Sequence, residues 1–273
     1  LCEIIKSVLK LQPFNKLSKF ICLIQYKKED QISAELSKNV NARMIWGGDA
    51  TIKQFKKYPT LPRCVDIMFS NRYSLCMIDN KSLEKLKQKE MLTLVNKFFN
   101  DSYLMDQQGC SSPHLVIWVG KKNSRLKDKF WEVLNDFVSK NYEADISVTN
   151  EKIIDITLNA ITTEMKYNVI FKNFKLVRNI INEDFKKVEK LKGKFGTFSE
   201  ITLKSIDQII PLISNNIQTI SYFGIDKDQI RNIIINNGLM GVDRIVPIGR
   251  AFDMSPFWDG FDIIQSLSRR IES

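Results

Sequence analysis

The chain has 273 residues, 44% hydrophobic and 26% charged, with 41 Lys and Arg against 31 Asp and Glu, a formal charge of +10. That length allows one large domain or two smaller ones with ample core, and the composition is ordinary for a soluble globular protein. It excludes a membrane-spanning helix, because no apolar run approaches the ~18 residues needed, and no secretory signal pattern opens the chain. Leu1 rather than Met stands first, as expected of an internal or truncated fragment.

In chain order, residues 20–26 (Phe-Ile-Cys-Leu-Ile-Gln-Tyr) read as a buried strand and 30–38 as a short helix. Residues 43–46 read as a strand, and 50–58 as a helix ended by Pro59 and Pro62. Strands follow at 64–69 and 74–78. Alternation at this spacing predicts right-handed βαβ units and a mostly parallel sheet, an α/β fold. A longer helix is expected over 82–99, with Ser82 as its N-cap and an apolar face from Leu83 to Phe98. A small-residue loop then leads to a strand at 115–119. In the helix expected at 126–141, Phe130, Trp131, Leu134, Phe137 and Val138 share one face; helical spacing makes them core rather than a cofactor box. A helix is expected at 151–165 and strands at 167–171, 199–203, 219–222 and 243–248. Helices at 205–214 and 226–237 separate the last three strands, and a helix at 259–271 closes the chain.

Lysines are spread along the chain, and clusters such as 186–192 also contain acid. This reads as a solvated basic surface rather than a nucleic-acid groove, although the positive field favours approach of phosphate-bearing ligands. A basic nucleic-acid-binding protein is a rival reading, and strongly salt-dependent binding to DNA or RNA would be its signature. The five cysteines, an odd number without a C-x-x-C pair, form neither a disulfide framework nor a zinc site. No metal is expected, and reduced thiols fit a cytoplasmic protein. Cys22, Cys64 and Cys76 lie in or beside apolar strand-like runs and are expected in the core, and Cys2 carries no signal.

Cys110 differs. It stands in Gln107-Gln108-Gly109-Cys110-Ser111-Ser112-Pro113, between a long amphipathic stretch and an apolar strand. A thiol there can be approached by a substrate, and its own backbone N–H can help hold an oxyanion, so Cys110 is a candidate nucleophile. His114, the one histidine, follows four residues later. It is a candidate general base, although Pro113 breaks helical spacing between the two. In Ile45-Trp46-Gly47-Gly48-Asp49-Ala50, a strand runs into two glycines and a helix. Gly47, Gly48 and Asp49 are therefore a candidate phosphate-binding turn, without the full G-x-G-x-x-G fingerprint. Residues 238–262, dense in Gly, Pro, aromatics and charge, form a segment of the kind that returns to a ligand site.

Gln108-Gly109-Cys110-Ser111-Ser112-Pro113 and Gly241-Val242-Asp243-Arg244-Ile245-Val246-Pro247-Ile248-Gly249 resemble the LuxC-type acyl-CoA reductases of bacterial luminescence systems and their relatives, within the aldehyde dehydrogenase superfamily. Trp258-Asp259-Gly260-Phe261-Asp262 and Ser266-Leu267-Ser268-Arg269 extend the likeness. The resemblance implies an aldehyde dehydrogenase-like α/β fold: part of a parallel-sheet cofactor domain (1–78), a catalytic domain (79–245), and a C-terminal segment (246–273) returning towards the site. It implies NADPH-dependent reduction of a long-chain acyl-CoA to the aldehyde, with Cys110 acylated and Gly47–Gly48 receiving the cofactor phosphates. It also implies an acyl-CoA or acyl-carrying protein as donor, and a homo-oligomer or acyl-transferring partner enzymes. Ile67-Met68-Phe69-Ser70-Asn71-Arg72 lacks the acid that many oxidising aldehyde dehydrogenases carry before the cysteine, which favours acyl transfer and reduction. Family members often have Gln where this chain has His114. A longer N-terminal region is usual in the family, so an inactive member working through protein contacts is the other rival reading.

Overall fold

The computed structural model describes residues 1–162, 167–181 and 189–272. The chain forms two compact units, Leu1–Ile45 with Ala50–Met68, and Trp46–Asp49 with Phe69–Ser273.

The first unit contains α1 (Cys2–Val8), a 3-10 turn (Asn15–Phe20) and α2 (Asp30–Lys38). The strands β1 (Ala42–Trp46) and β2 (Val65–Phe69) pair as a two-stranded sheet, with α3 (Asp49–Phe55) between them in sequence. Arg43 ties the unit together. Its guanidinium grips both Asp66 oxygens, with Nε to Oδ1 at 2.7 Å, and donates to the Phe55 carbonyl at 3.0 Å. The strand expected at 20–26 is not formed. Ile21 is extended, but residues 21–27 join no ladder among the described residues, and Phe20 is 85% exposed. An apolar run becomes a strand only where a neighbour supplies ladder hydrogen bonds. Cys22 is accordingly exposed and Cys64 only half-buried, contrary to their expected core placement.

The second unit is built on a seven-stranded sheet. Its strands are β3 (Tyr73–Asp79), β4 (Pro113–Val119), β5 (Tyr167–Asn173), β6 (Leu176–Ile181), β7 (Thr197–Leu203), β8 (Ile217–Phe223) and β9 (Arg244–Pro247). The order is β5-β6-β7-β4-β3-β8-β9. Every pair is parallel except β5 on β6, as the βαβ alternation predicts. β6 was not expected. Arg178 and Asn179 interrupt its apolar run; both are buried, and Arg178 is so because it pairs with Glu200 on the neighbouring β7.

The pleat sends alternate side chains to opposite faces. Cys76 and Ile78 of β3 and Val116 and Trp118 of β4 pack under α5 (Gln88–Ser102) and α6 (Ser124–Asn141). Leu75, Met77, Leu115 and Ile117 pack on the other face, under a 3-10 helix (Ile206–Leu212) and α8 (Lys227–Asn236). The stripe from Phe130 to Val138 lies in the first of these cores, with Phe130, Trp131, Leu134 and Val138 fully buried.

Two helix expectations are corrected by local capping. The helix expected over 82–99 is two helices, α4 (Asn80–Glu84) and α5. The Asp79 carboxylate, not Ser82, caps α4 by accepting the Ser82 N–H at 2.7 Å. The Glu90 carboxylate accepts the Lys87 N–H at 2.8 Å and restarts the chain as α5. At the C-terminus the expected long helix is a hairpin, β10 (Phe257–Trp258) with β11 (Phe261–Asp262), before a short α9 (Ile263–Leu267). Asp259 and Gly260 between the strands both have positive φ, 49° and 77°, as an Asp-Gly hairpin turn requires. α7 (Ile146–Thr162) is fixed by Lys152, only 2% exposed, which donates to the carbonyls of Phe174 at 3.0 Å and Phe195 at 2.7 Å.

Candidate active site

The Cys110 loop lies at the amino ends of β3, β4 and β8. Ser74, opposite Pro113 in the sheet, donates its hydroxyl to the Cys110 carbonyl at 2.6 Å and accepts the Thr219 N–H at 3.1 Å. Gln107 anchors the other side. It is fully buried, donates Nε2 to the carbonyls of Pro113 and Thr197, and accepts the N–H groups of Gly196 and Thr197, all four at 3.0 Å. Its backbone is left-handed (φ 60°), as is that of Asp106 (φ 51°). Two such residues in a row are held only by strong surrounding structure. Gly109 is required for a different reason: a Cβ there would stand 2.6 Å from the Phe252 ring.

Cys110 itself is half-buried. Burial pushes its thiol pKa up most, and Asp259 adds to that. Lys192, the residue's own backbone N–H and Arg72 pull the other way. The two cations are fixed through the backbone: Lys192 Nζ donates to the Arg72 carbonyl at 2.8 Å, and Arg72 donates to the Ile217 carbonyl at 3.0 Å and pairs with Asp243. On the other flank, Ser111 donates to Gln218 Oε1 at 2.9 Å, and the Gln218 amide donates to Asp259.

The late Gly- and aromatic-rich segment folds onto this edge. Arg244 donates to the carbonyls of Ala251 and Asp253 at 2.6 and 2.8 Å and stacks 4.4 Å over the Trp258 ring. Asp101 accepts the N–H groups of Gly249 at 2.6 Å and Ala251 at 3.0 Å, and burial raises its carboxyl pKa to about 6. Ser74, Asp101, Lys192 and Gln218 carry no sequence signal. Gln107 stands inside the motif around Cys110, but only its burial reveals its role.

His114 lies in β4 with no solvent exposure, its ring 5.3 Å from that of Tyr73. Burial lowers its pKa to about 3. Among the described residues, neither ring nitrogen has a hydrogen bond of normal geometry. An imidazole held neutral in this way is a weak proton acceptor.

Gly47, Gly48 and Asp49 join β1 to α3, within the same compact unit as Cys110. Gly47 N–H donates to the Phe69 carbonyl at 3.2 Å, and Asp49 Oδ1 accepts the Asn71 N–H at 3.2 Å. Over Gly48 the nearest obstacle to a Cβ is the Asn71 side chain at 3.5 Å, so the backbone there is open to close approach. Asn71 and Arg72 also line a cleft of about 470 Å3 with Gln107, Gln108 and Lys192. The turn therefore fits a backbone-held anionic group of a nicotinamide cofactor, and Asn71 touches both the turn and the cleft beside the cysteine loop. Among the described residues, no group of three or more His, Cys, Asp or Glu can hold a metal ion.

The fold is that of the aldehyde dehydrogenases. The chain superposes on an NAD-dependent aldehyde dehydrogenase from Sinorhizobium meliloti with a TM-score of 0.55 at 12% identity, covering 83% of this chain and 46% of that one. For a betaine aldehyde dehydrogenase from Staphylococcus aureus in complex with NAD+, the values are 0.53, 15%, 83% and 47%. For lactaldehyde dehydrogenase from Escherichia coli they are 0.55, 10%, 82% and 49%. The chain thus spans about half the length of these structures. Residues 1–270 match the acyl-CoA reductase (LuxC) family, and the chain belongs to it. No curated protein matches the chain.

Proposed function

We propose that the protein reduces a long-chain acyl-CoA, or an acyl group on a donor protein, to the fatty aldehyde with NADPH through an acyl-Cys110 intermediate. The observation that carries this reading is the half-buried Cys110 thiol on a loop locked from both sides, within the electrostatic reach of Lys192 and Arg72. Family membership and fold support it.

In the first half-reaction, the Cys110 sulfur attacks the thioester carbonyl carbon. A carbon–sulfur bond to the enzyme forms and the bond to CoA breaks. The thiol proton leaves Cys110, and CoA departs as its thiol. Ser74 and Gln107 keep the loop from retreating, which positions the nucleophile. Lys192 and Arg72 pull the Cys110 thiol towards its thiolate and offset part of the larger effect of burial, which keeps its pKa raised. The Cys110 N–H is available to the carbonyl oxygen as it gains charge. A reduced nicotinamide, when bound, would supply the hydride that takes the acyl thioester to the aldehyde; Cys110 then leaves as thiolate and regains its proton. With the Gly47 N–H committed to the Phe69 carbonyl, the open backbone at Gly48 would receive its phosphate, and Asn71 would bridge that turn to the cleft. His114 has no part in these steps. The reaction suits a reducing, cytoplasmic setting, in which Cys110 stays a thiol.

The test is sequential. Protein incubated with palmitoyl-CoA and then freed of it should gain one acyl group on Cys110. Added NADPH should discharge that group as hexadecanal. Acylation that water removes as fatty acid, at the same rate with or without NADPH, would refute the reductase reading.

A further inference from the structure

We propose a second ligand site, for a nucleoside diphosphate or a similarly sized phosphate ester, at the carboxyl edge of the seven-stranded sheet. It is a cavity of about 650 Å3 lined by Gly120–Lys122, Lys127, Arg178, Ile180, Ile201 and Lys204, among others. That size lies within the ~300–1,000 Å3 of small-molecule sites. β4 is seven residues long. The cavity therefore lies about 20 Å from the Cys110 end of that strand, at ~3.3 Å per residue.

Three independent features meet there. The first is topological. The helices that follow β3 and β4 cover one face of the sheet, and those that follow β7 and β8 cover the other. The chain leaves β4 and its neighbour β7 towards opposite faces, which opens a crevice outside their carboxyl ends. Open α/β sheets bind ligands at such crevices.

The second feature is unbalanced charge. Arg178 is neutralised: it donates to Glu200 through Nε at 3.1 Å and Nη2 at 2.6 Å, and to Asp128 through Nη1 at 2.9 Å. Glu200 is also fully committed, because its other oxygen accepts the indole N–H groups of Trp118 at 2.7 Å and Trp131 at 2.9 Å. Lys121, Lys122, Lys127 and Lys204 have no ion pair among the described residues. Lys127 is only 6% exposed, and its ammonium donates to the neutral Thr202 hydroxyl at 3.1 Å. Glu200 and Asp128, which also line the cavity, act on this ammonium from a distance, but both are committed to Arg178, so a bound anion would complete the site.

The third feature is the start of α6. Asn123 Oδ1 takes the Leu126 N–H at 3.1 Å. The N–H groups of Ser124 and Arg125 ahead of it have no acceptor within the helix, and the positive end of the helix dipole faces the cavity. Four unpaired lysines and these N–H groups suit a multiply charged phosphate. The wall of Ile170, Ile180, Ile181 and Ile201 suits an apolar body attached to it.

Binding of ADP, and of pyrophosphate in a parallel arm, by calorimetry on the full chain tests the site. Lysine-acetylation footprinting with mass spectrometry locates it. We expect ADP to bind, to weaken as salt rises from about 50 to about 500 mM, and to protect Lys121, Lys122, Lys127 and Lys204 from acetylation. Lys121→Gln with Lys122→Gln, both exposed and tolerant of change, should weaken binding about tenfold, the scale of one or two charge-assisted contacts. Lys127→Met should weaken it at least as much. Gly48→Val, at the turn read as the cofactor site, should remove any ADP bound there yet leave the protection of Lys121, Lys122, Lys127 and Lys204 unchanged, which keeps the two sites apart. ADP bound tighter than pyrophosphate supports the apolar wall, and equal affinities would reject that wall's role. ADP binding undiminished in the double variant, absent protection, or no ADP binding at all would overturn the site.

Discussion

The two edges of the seven-stranded sheet manage charge in opposite ways. At the amino edge around Cys110, Arg72 is matched to Asp243 and Gln218 to Asp259, and Arg244 and Asp101 are satisfied by backbone groups. At the carboxyl edge, Glu200, Asp128 and Arg178 satisfy each other and leave four lysines without an ion pair among the described residues. The first pattern fixes positions, which a nucleophile needs. The second leaves a positive field for a ligand that comes and goes. Geometry and field are thus separated across one sheet, and each edge can be disturbed alone.

Cys110→Ser should have the largest effect. It should abolish acylation while shifting unfolding free energy by no more than about 0.5 kcal/mol, because the loop is held by other residues. Retained acylation in that variant would remove the amino edge from the chemistry. Next come the anchors. Gln107→Ala strips partners from two buried N–H groups and two carbonyls, and should lower stability by about 3 kcal/mol in urea unfolding and slow acylation. Glu200→Gln should lower stability by a similar amount, about 3 kcal/mol, by leaving buried Arg178 underpaired, yet leave the acylation rate alone. If both variants slow acylation equally, the edges are not separable.

A smaller effect concerns pH. His114 is held neutral down to about pH 3, against 6.5 when unfolded. The unfolded chain binds a proton there that the folded one refuses, so stability falls as pH drops from 6.5 towards 3. Raised Asp101 acts oppositely between 3.8 and about 6, gaining stability as pH falls. Comparing unfolding of wild type and His114→Leu isolates the first contribution. The variant should gain on wild type by about 1.4 kcal/mol per pH unit below 6.5, and a flat difference would contradict the buried, neutral imidazole. The smallest effect is on the thiol. Lys192→Met should move the pH dependence of acylation to higher pH, and Asp259→Asn to lower pH, since they remove opposite influences on Cys110.

The sequence revealed the sheet more readily than the site. βαβ alternation predicts the parallel order, and α2 matches its expected bounds because polar and apolar positions there follow one helical period. β6 escaped because Arg178 and Asn179 look like surface residues until Glu200, 22 positions away, is placed beside Arg178. The closing hairpin was missed, because the helical spacing over 259–271 hid the turn preference of Asp259-Gly260, which prevails in the fold. Cys110 stood out through its small-residue loop. Gln107, Ser74 and Gln218 did not, because each acts through partners brought from elsewhere in the chain. The strand expected at 20–26 shows the converse, since a strand-like run still needs a neighbour to pair with.

In the proposed reaction, placement rather than exposure singles out Cys110 as the thiol that is acylated. Cys2 and Cys22 are more exposed than Cys110, and Cys76 is buried. Peptide mapping after brief exposure to a sub-stoichiometric long-chain acyl-CoA reports where the acyl group lands among the five cysteines. The account predicts label on Cys110 ahead of the more exposed Cys2 and Cys22. Label distributed by exposure, with Cys2 and Cys22 ahead of Cys110, would contradict it.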